Sequence, residues 1–255
     1  VRLIVPDTSV IIRTIEVDRD IPDEELNGHV YFELGHTIHL PFDNPVVDTV
    51  TIESNEETKK VLVVAAPSEV VEQYNEYFKD EKMFPVAADV SALCQYRLFH
   101  QYRKTETEDS LILIQMDVKS VTVSIFEQEF PVFMQQVNIP YQEDTWKVVP
   151  LNQGGYLTKD QFDEEKVFSA FEEVFSEIER ILRFYQYSLN NGDKEVTKSL
   201  ITGDHPFLFE LMEKIGDRVN IPVDYLPPEN VQAAKGVSLG NQFYNVIGLS
   251  MKEGV

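Results

Sequence analysis

His29, Glu33, His36 and His39 form the densest set of metal-ligand side chains in the sequence. On a helix the first three fall near one face, as a His/Glu metal site requires. Gly35 ends such a helix, however, and Leu40-Pro41-Phe42 continues extended, so ordinary surface or core histidines are the simpler expectation and no metal is expected. Phosphate chemistry has two candidate turns. Met116-Asp117-Val118-Lys119-Ser120-Val121-Thr122 joins two strand-like runs and offers a carboxylate with two hydroxyls. Leu200-Ile201-Thr202-Gly203-Asp204-His205 joins a strand to a helix. Backbone N–H groups close on phosphate oxygens most readily where glycine opens the turn. The first turn has no glycine and the second has only Gly203, so an acidic β-turn and an ordinary glycine turn are the simpler readings. No G-x-S-x-G elbow orders a serine nucleophile, and Asp204 beside His205 is more often a helix-capping pair than a dyad. The residues by themselves propose no reaction, and no catalytic residue is assigned.

Charge narrows the classes further. Forty-four Asp+Glu against 22 Lys+Arg in 255 residues leave a net charge of −22. Nucleic-acid binding needs basic stripes that release counterions, and docking on an anionic bilayer needs a polybasic face; neither is present. The single cysteine, Cys94, rules out a disulfide framework or a cysteine zinc site and reads as a small core residue. The longest apolar runs, 61–66 and 111–114, fall far short of the ~20 residues a bilayer span needs. A cytoplasmic location without membrane insertion is therefore expected. The chain opens directly in the strand-like run Val1-Arg2-Leu3-Ile4-Val5, which reads as a fragment of a longer protein.

The elements that would position these side chains are legible in the hydropathy pattern. Val10–Ile15 and Val46–Ile52 are strand-like, and Asp23-Glu24-Glu25-Leu26 opens a short helix with acids at its N-terminal dipole. Val61–Ala66 is apolar without alternation, as in a strand buried on both faces. Val70, Val71, Tyr74, Tyr77 and Phe78 then recur at helical spacing. Pro85–Ala88 and a helix to about Tyr102 complete a β-α-β-α unit, and Lys104–Ser110 is a polar boundary. Leu111–Met116, Val121–Phe126 and Val132–Ile139 read as a meander. Phe168, Phe171, Phe175, Ile178, Leu182, Tyr185 and Leu189 mark a long amphipathic helix, with Thr158 and Gln161 as its capping box and Asn190-Asn191-Gly192 as its end. A β-α-β run over 198–225 and a helix over 243–251 close the chain.

Several stretches resemble the PilM family of type IV pilus and competence-pilus biogenesis, relatives of the division protein FtsA with the actin-like ATPase fold. Ile38-His39-Leu40-Pro41-Phe42 with Val47-Asp48 is similar to the family's "ipF…D" segment. Leu62-Val63-Val64-Ala65-Ala66-Pro67, Val71-Glu72-Gln73-Tyr74 and Pro85-Val86-Ala87-Ala88-Asp89 resemble its "vllvAap…v..y…kPv.vD" passage. Ser176-Glu177-Ile178-Glu179-Arg180-Ile181-Leu182-Arg183-Phe184-Tyr185 looks like its "L..EI.RsL.FY" helix, the most specific match, and Ile247-Gly248-Leu249-Ser250-Met251 like its closing "aiGLAlR" helix.

This resemblance implies an α/β, actin-like two-lobe fold with a small inserted α+β subdomain and with its N-terminal part, including the first phosphate loop, missing. Residues 1–8 would end the first actin-like subdomain, 9–60 form the insertion, 61–105 return to the first subdomain, and 106–255 form the second lobe. The family's second phosphate loop reads "DIG" where this chain has Asp117-Val118-Lys119, and its two-glycine adenosine-side turn is here Gly203-Asp204. About two dozen residues between Ile139 and the long helix leave little room for the nucleotide-side subdomain. Asp117, Ser120, Thr122 and Gly203 would thus be a degenerate nucleotide site, and ATP is expected to bind poorly or not at all. The function implied is a non-catalytic cytoplasmic adaptor. It would bind the short tail of a PilN-type bitopic inner-membrane protein in a groove near the insertion and link it to the pilus assembly ATPases. Phe32, Leu40 and Phe42 are candidate groove residues, with core packing as the simpler role of each. The alternative is a magnesium-ATP-dependent actin-like ATPase of pilus assembly or cell division, with Asp117 on the magnesium side and Thr122 near the phosphates.

Overall fold

The computed structural model describes residues 1–103, 110–146, 158–231 and 239–252. In chain order the elements are β1 (Arg2–Ile4), β2 (Ile11–Asp18), α1 (Leu26–Glu33), β3 (Pro45–Ser54), β4 (Thr58–Pro67), α2 (Ser68–Asp80), β5 (Ala87–Asp89) and α3 (Ser91–Arg103). They continue as β6 (Ser110–Met116), β7 (Ser120–Glu127), β8 (Phe130–Asn138), α4 (Glu164–Arg183), β9 (Lys198–Thr202), α5 (Leu208–Val219), β10 (Val223–Tyr225) and α6 (Tyr244–Ser250). The chain divides into two compact units: residues 1–98, 129–134 and 245–255, and residues 99–128 and 135–244. Among the described residues no helix is long and apolar enough to cross a membrane. The polar boundary expected at 104–110 lies, up to residue 109, outside the described residues, as does the 147–157 part of the shortened subdomain.

The first unit is built on a three-stranded antiparallel sheet in the order β2-β4-β3. The apolar run 61–66 is the middle of its central strand, so both faces are covered although the sheet is not parallel. Alternate residues of β4 separate two cores. Val61, Val63 and Ala65 pack with Leu26 and Val30 of α1, with Val17, Ile38 and Val47 completing the cluster. Leu62 and Ala66 face the other way, with Leu3, Val5, Val10, Ile12 and Val90. Each fully buried aliphatic of this kind stabilises by about 1.5–3 kcal/mol. The turn between β3 and β4 is an Asx turn: Asn55 Oδ1 accepts from the Glu57 and Thr58 N–H groups at 2.9 and 2.8 Å. The expected β-α-β-α passage is present as β4, α2, β5 and α3, but β5 pairs in parallel with β1 rather than with β4. Val86 N–H donates to the Val1 carbonyl, which brings the two short strands into register.

The closing helix α6 is seated in this unit by close approach and charge. A Cβ on Gly248 would lie 1.8 Å from the Cys94 carbonyl oxygen, so only glycine permits this contact with α3. Arg97 donates to the Gly248 carbonyl at 2.7 Å and pairs at 2.9 Å with Asp89, whose carboxylate is buried. Lys252 adds a second cation at 3.5 Å. Burial, with Asp89 nearby, pushes the Cys94 thiol up to about 12, so it stays a neutral packing group.

The second unit is built on a mixed sheet in the order β10-β9-β6-β7-β8. β6 and β7 form an antiparallel pair, whereas β9 runs parallel to β6 and β10 parallel to β9. Ile112–Ile114, Met116, Val121, Val123, Ile125 and Phe126 are buried, the mark of a sheet covered on both faces. α4 lies against it: Gln135 of β8 donates to Glu177 at 2.8 Å, and the Tyr185 hydroxyl bonds Ser110 of β6 and Glu127 of β7. Phe171, Phe175, Ile178 and Tyr185 of the expected stripe are buried, but Leu189 is exposed, because Phe184–Leu189 winds as a π-helix and turns off the 3.6-residue period. Thr158 and Gln161 do form a capping box, but around a separate 3-10 turn at Lys159–Gln161. The long helix is capped by Asp163, whose carboxylate accepts from the Lys166 N–H. The spacing was right for a cap but did not show that Phe162 breaks the helix by adopting an extended backbone.

Candidate functional site

The structure gathers Asp117, Ser120, Thr122 and Gly203 at one end of the second unit's sheet. β6 and β9 run in parallel with Gln115 opposite Thr202, so the turn after each strand emerges on the same side. The first turn is closed by Asp117 N–H donating to the Ser120 carbonyl at 2.9 Å. Neither Val118 nor Lys119 takes a positive φ, as expected once the family's glycine is replaced. The Asp117 carboxylate accepts from the Gln115 amide at 2.5 Å. Thr122 is buried at 1% exposure. Gly203 has φ +119°, and a Cβ there would lie 2.0 Å from the Met116 carbonyl oxygen. The glycine therefore serves the approach of two strand ends.

His205 is the residue whose surroundings the sequence left open. It is 3% exposed and stands at the entry to α5, where its backbone carbonyl accepts from the Leu208 N–H at 3.0 Å. Its Nδ1 accepts from the Phe207 N–H at 3.1 Å, which places the ring proton on Nε2, and Nε2 donates to the Tyr141 hydroxyl at 2.7 Å. Phe171, Phe162 and Phe207 surround the ring, with centroids 5.2, 6.1 and 6.1 Å away. Burial brings the imidazole down to about 4, with Glu210 pulling weakly the other way, so it is neutral near pH 7. Burial likewise raises the Tyr141 phenol and the Asp204 carboxyl.

The segment from Ile139 to Trp146 lies against this end. Ile139 N–H donates to the Lys119 carbonyl at 3.0 Å, and the Lys119 ammonium sits 5.6 Å from the centre of the Trp146 ring. Trp146 pairs across a β-bridge with Phe162 and stacks between Tyr141 and Phe162 at 5.8 and 5.4 Å. The sequence carried one signal for this, Tyr141 and Trp146 just past the meander; their destination was not legible because it depends on contacts made 16 to 64 positions away along the chain.

The other candidates are placed separately. Phe32 is 75% exposed on α1, with its ring near His36, while Leu40 and Phe42 are partly buried against the α1 core. The structure thus separates one exposed aromatic from two packing residues. In the histidine set, α1 ends at Glu33, and the Thr37 hydroxyl donates to its carboxylate at 2.6 Å. Among the described residues no group of three or more His, Cys, Asp or Glu side chains is arranged to hold a metal.

The sequence profile described as type IV pilus assembly protein PilM matches residues 1–142, more than half of the chain. The chain belongs to the PilM family. No curated protein sequence matches it. Among solved structures, it is similar to a PilM-PilN type IV pilus biogenesis complex, with a TM-score of 0.71 and 17% identity over 98% of this chain and 79% of that one. Weaker overlaps include a protein of unknown function with an actin-like ATPase fold from Bacteroides thetaiotaomicron (TM-score 0.45, 11% identity, 94% and 70% covered). Another is the cytoplasmic domain of EpsL, an inner-membrane component of the type II secretion system of Vibrio cholerae (0.46, 8%, 100% and 74%). The PilM-family fold is the α/β, actin-like one expected from the sequence.

Proposed function

We propose that this PilM-family chain is a non-catalytic adaptor of type IV pilus or competence-pilus assembly, and that its partner is the short cytoplasmic tail of a PilN-type inner-membrane protein. The observation that supports this is the 0.71 TM-score over nearly the whole chain to a protein solved as a PilM-PilN complex. Holding a peptide in a preformed groove needs no hydrolysis. A net charge of −22 favours basic residues flanking the tail and raises the association rate more than the affinity. This reading assigns membrane contact to the partner, holds the adaptor at the cytoplasmic face, and puts it where it meets the assembly ATPases. Phe32 is the candidate anchor, since its ring is free of the core that holds Leu40 and Phe42.

The test is calorimetry with a synthetic peptide of the cytoplasmic tail of a PilN-type membrane protein from the same cell. Saturable binding that weakens as salt screens the charges is expected. Absence of binding to a folded chain overturns the proposal.

A further inference from the structure

We infer that the end of the second unit's sheet beyond β6 and β9 is occupied in part by the chain's own strap, Ile139–Trp146, and that the residues there do not fit a nucleotide, so that this chain works without one. The residues expected to hold ATP do not fit it. A phosphate cradle needs free backbone N–H groups, an open glycine and hydroxyls that reach the ligand. Here the N–H groups of Asp117, Ile139, His205 and Phe207 donate to the Ser120, Lys119 and Met116 carbonyls and to His205 Nδ1. Gly203 is buried against the Met116 backbone, and Thr122 is buried at 1% exposure. Asp117 and Asp204 place two carboxylates in the turns at this sheet end, which disfavours a polyanion there, and the one lysine of the turn rests on Trp146.

Three contacts within one unit seat the strap. Ile139 is tied to the Lys119 carbonyl, Tyr141 receives the His205 Nε2 proton, and Trp146 bridges to Phe162. Each joins the strap to the turn after β6, the turn after β9 or the segment leading into α4. The buried histidine therefore pins the strap through Nε2 while its Nδ1 and carbonyl hold the entry to α5.

Hydrogen exchange and thermal unfolding of the whole chain, with and without millimolar Mg-ATP or Mg-ADP, test this. The strap and both turns are expected to be protected already without nucleotide, and the ratio of exchange rates with and without it is expected to stay at about 1. Tm is expected not to move, whereas a ligand present at about 100 times its Kd would raise it by roughly 5 °C. Tyr141→Phe removes the acceptor for His205 and is expected to speed exchange of residues 139–146 by about tenfold. A saturable Tm rise, new protection at 117–122 or 203–207, or free exchange of the strap overturns the inference; so does unchanged strap exchange in Tyr141→Phe. Tail-peptide binding measured on the same sample keeps this outcome separate from that of the adaptor reading.

Discussion

Replacing His205 with glutamine changes how stability responds to acid, and the size of the effect follows from the ring's burial. An ordinary histidine titrates near 6.5, whereas burial among Phe162, Phe171 and Phe207 holds this one at about 4 in the folded chain. A base whose folded pKa lies below its unfolded pKa is protonated first in the unfolded state, so acid favours unfolding. Its contribution is complete above about 6.5 and is lost as pH falls toward about 4, at 1.36 kcal/mol per unit, or about 3 kcal/mol in all. At 3% exposure the ring has little solvent screening to reduce that figure. Between about pH 7 and about pH 5 the His205 share is about 2 kcal/mol. Trp146 is the only tryptophan and lies in the same unit, so its fluorescence during urea unfolding reads this unit directly. The variant starts less stable at neutral pH, but its loss on acidification is expected to be smaller than the parent's by that 2 kcal/mol. Carboxylates other than Glu210, which interacts with the ring, contribute equally to both proteins and cancel in the comparison. Equal losses, or an NMR titration placing the His205 ring near 6.5, would refute the reasoning.

Two substitutions probe the geometry elsewhere. Gly203→Ala puts a methyl group 2.0 Å from the Met116 carbonyl oxygen at φ +119°, so thermal unfolding is expected to show a loss of about 3 kcal/mol or more; a loss under about 0.5 would show that the strand ends can part without cost. Phe42→Ala is expected to cost about 1–2 kcal/mol because the ring packs on the α1 core, whereas Phe32→Ala stays within about 0.5 kcal/mol and instead weakens tail-peptide binding. The reverse pattern in urea unfolding and calorimetry would exchange their roles.

Local patterns carried much of the fold. The meander of β6, β7 and β8, the stripe of α4 and the acidic entry to α1 rest on periodicity and on residues adjacent in the chain, and each formed near its expected position. Strand partnership was not legible. The run 61–66 has the same apolar texture whether it pairs in parallel or, as it does, between two antiparallel neighbours, because texture reports burial and not direction. The cap of α4 moved from Thr158 to Asp163 because both residue types cap helices, and only the extended backbone at Phe162 separates them. Of the candidate site, the sequence marked Asp117, Ser120, Thr122 and Gly203, but it did not reveal that Thr122 is buried or that Gly203 closes on the Met116 backbone.

The sequence by itself determined the family, the α/β class and the loss of glycine from the turn after β6, since these depend on residue identity and order. A Cβ at position 118 or 119 disfavours a left-handed phosphate loop in any surroundings. What fills the end of that sheet was decided only by tertiary structure. Tyr141 and His205 lie 64 residues apart and meet because β6 and β9 run side by side, with the chain beyond β8 folding back over their ends. Hydrogen bonding and burial at that meeting set the histidine's charge, and neither quantity exists until the two segments are brought together.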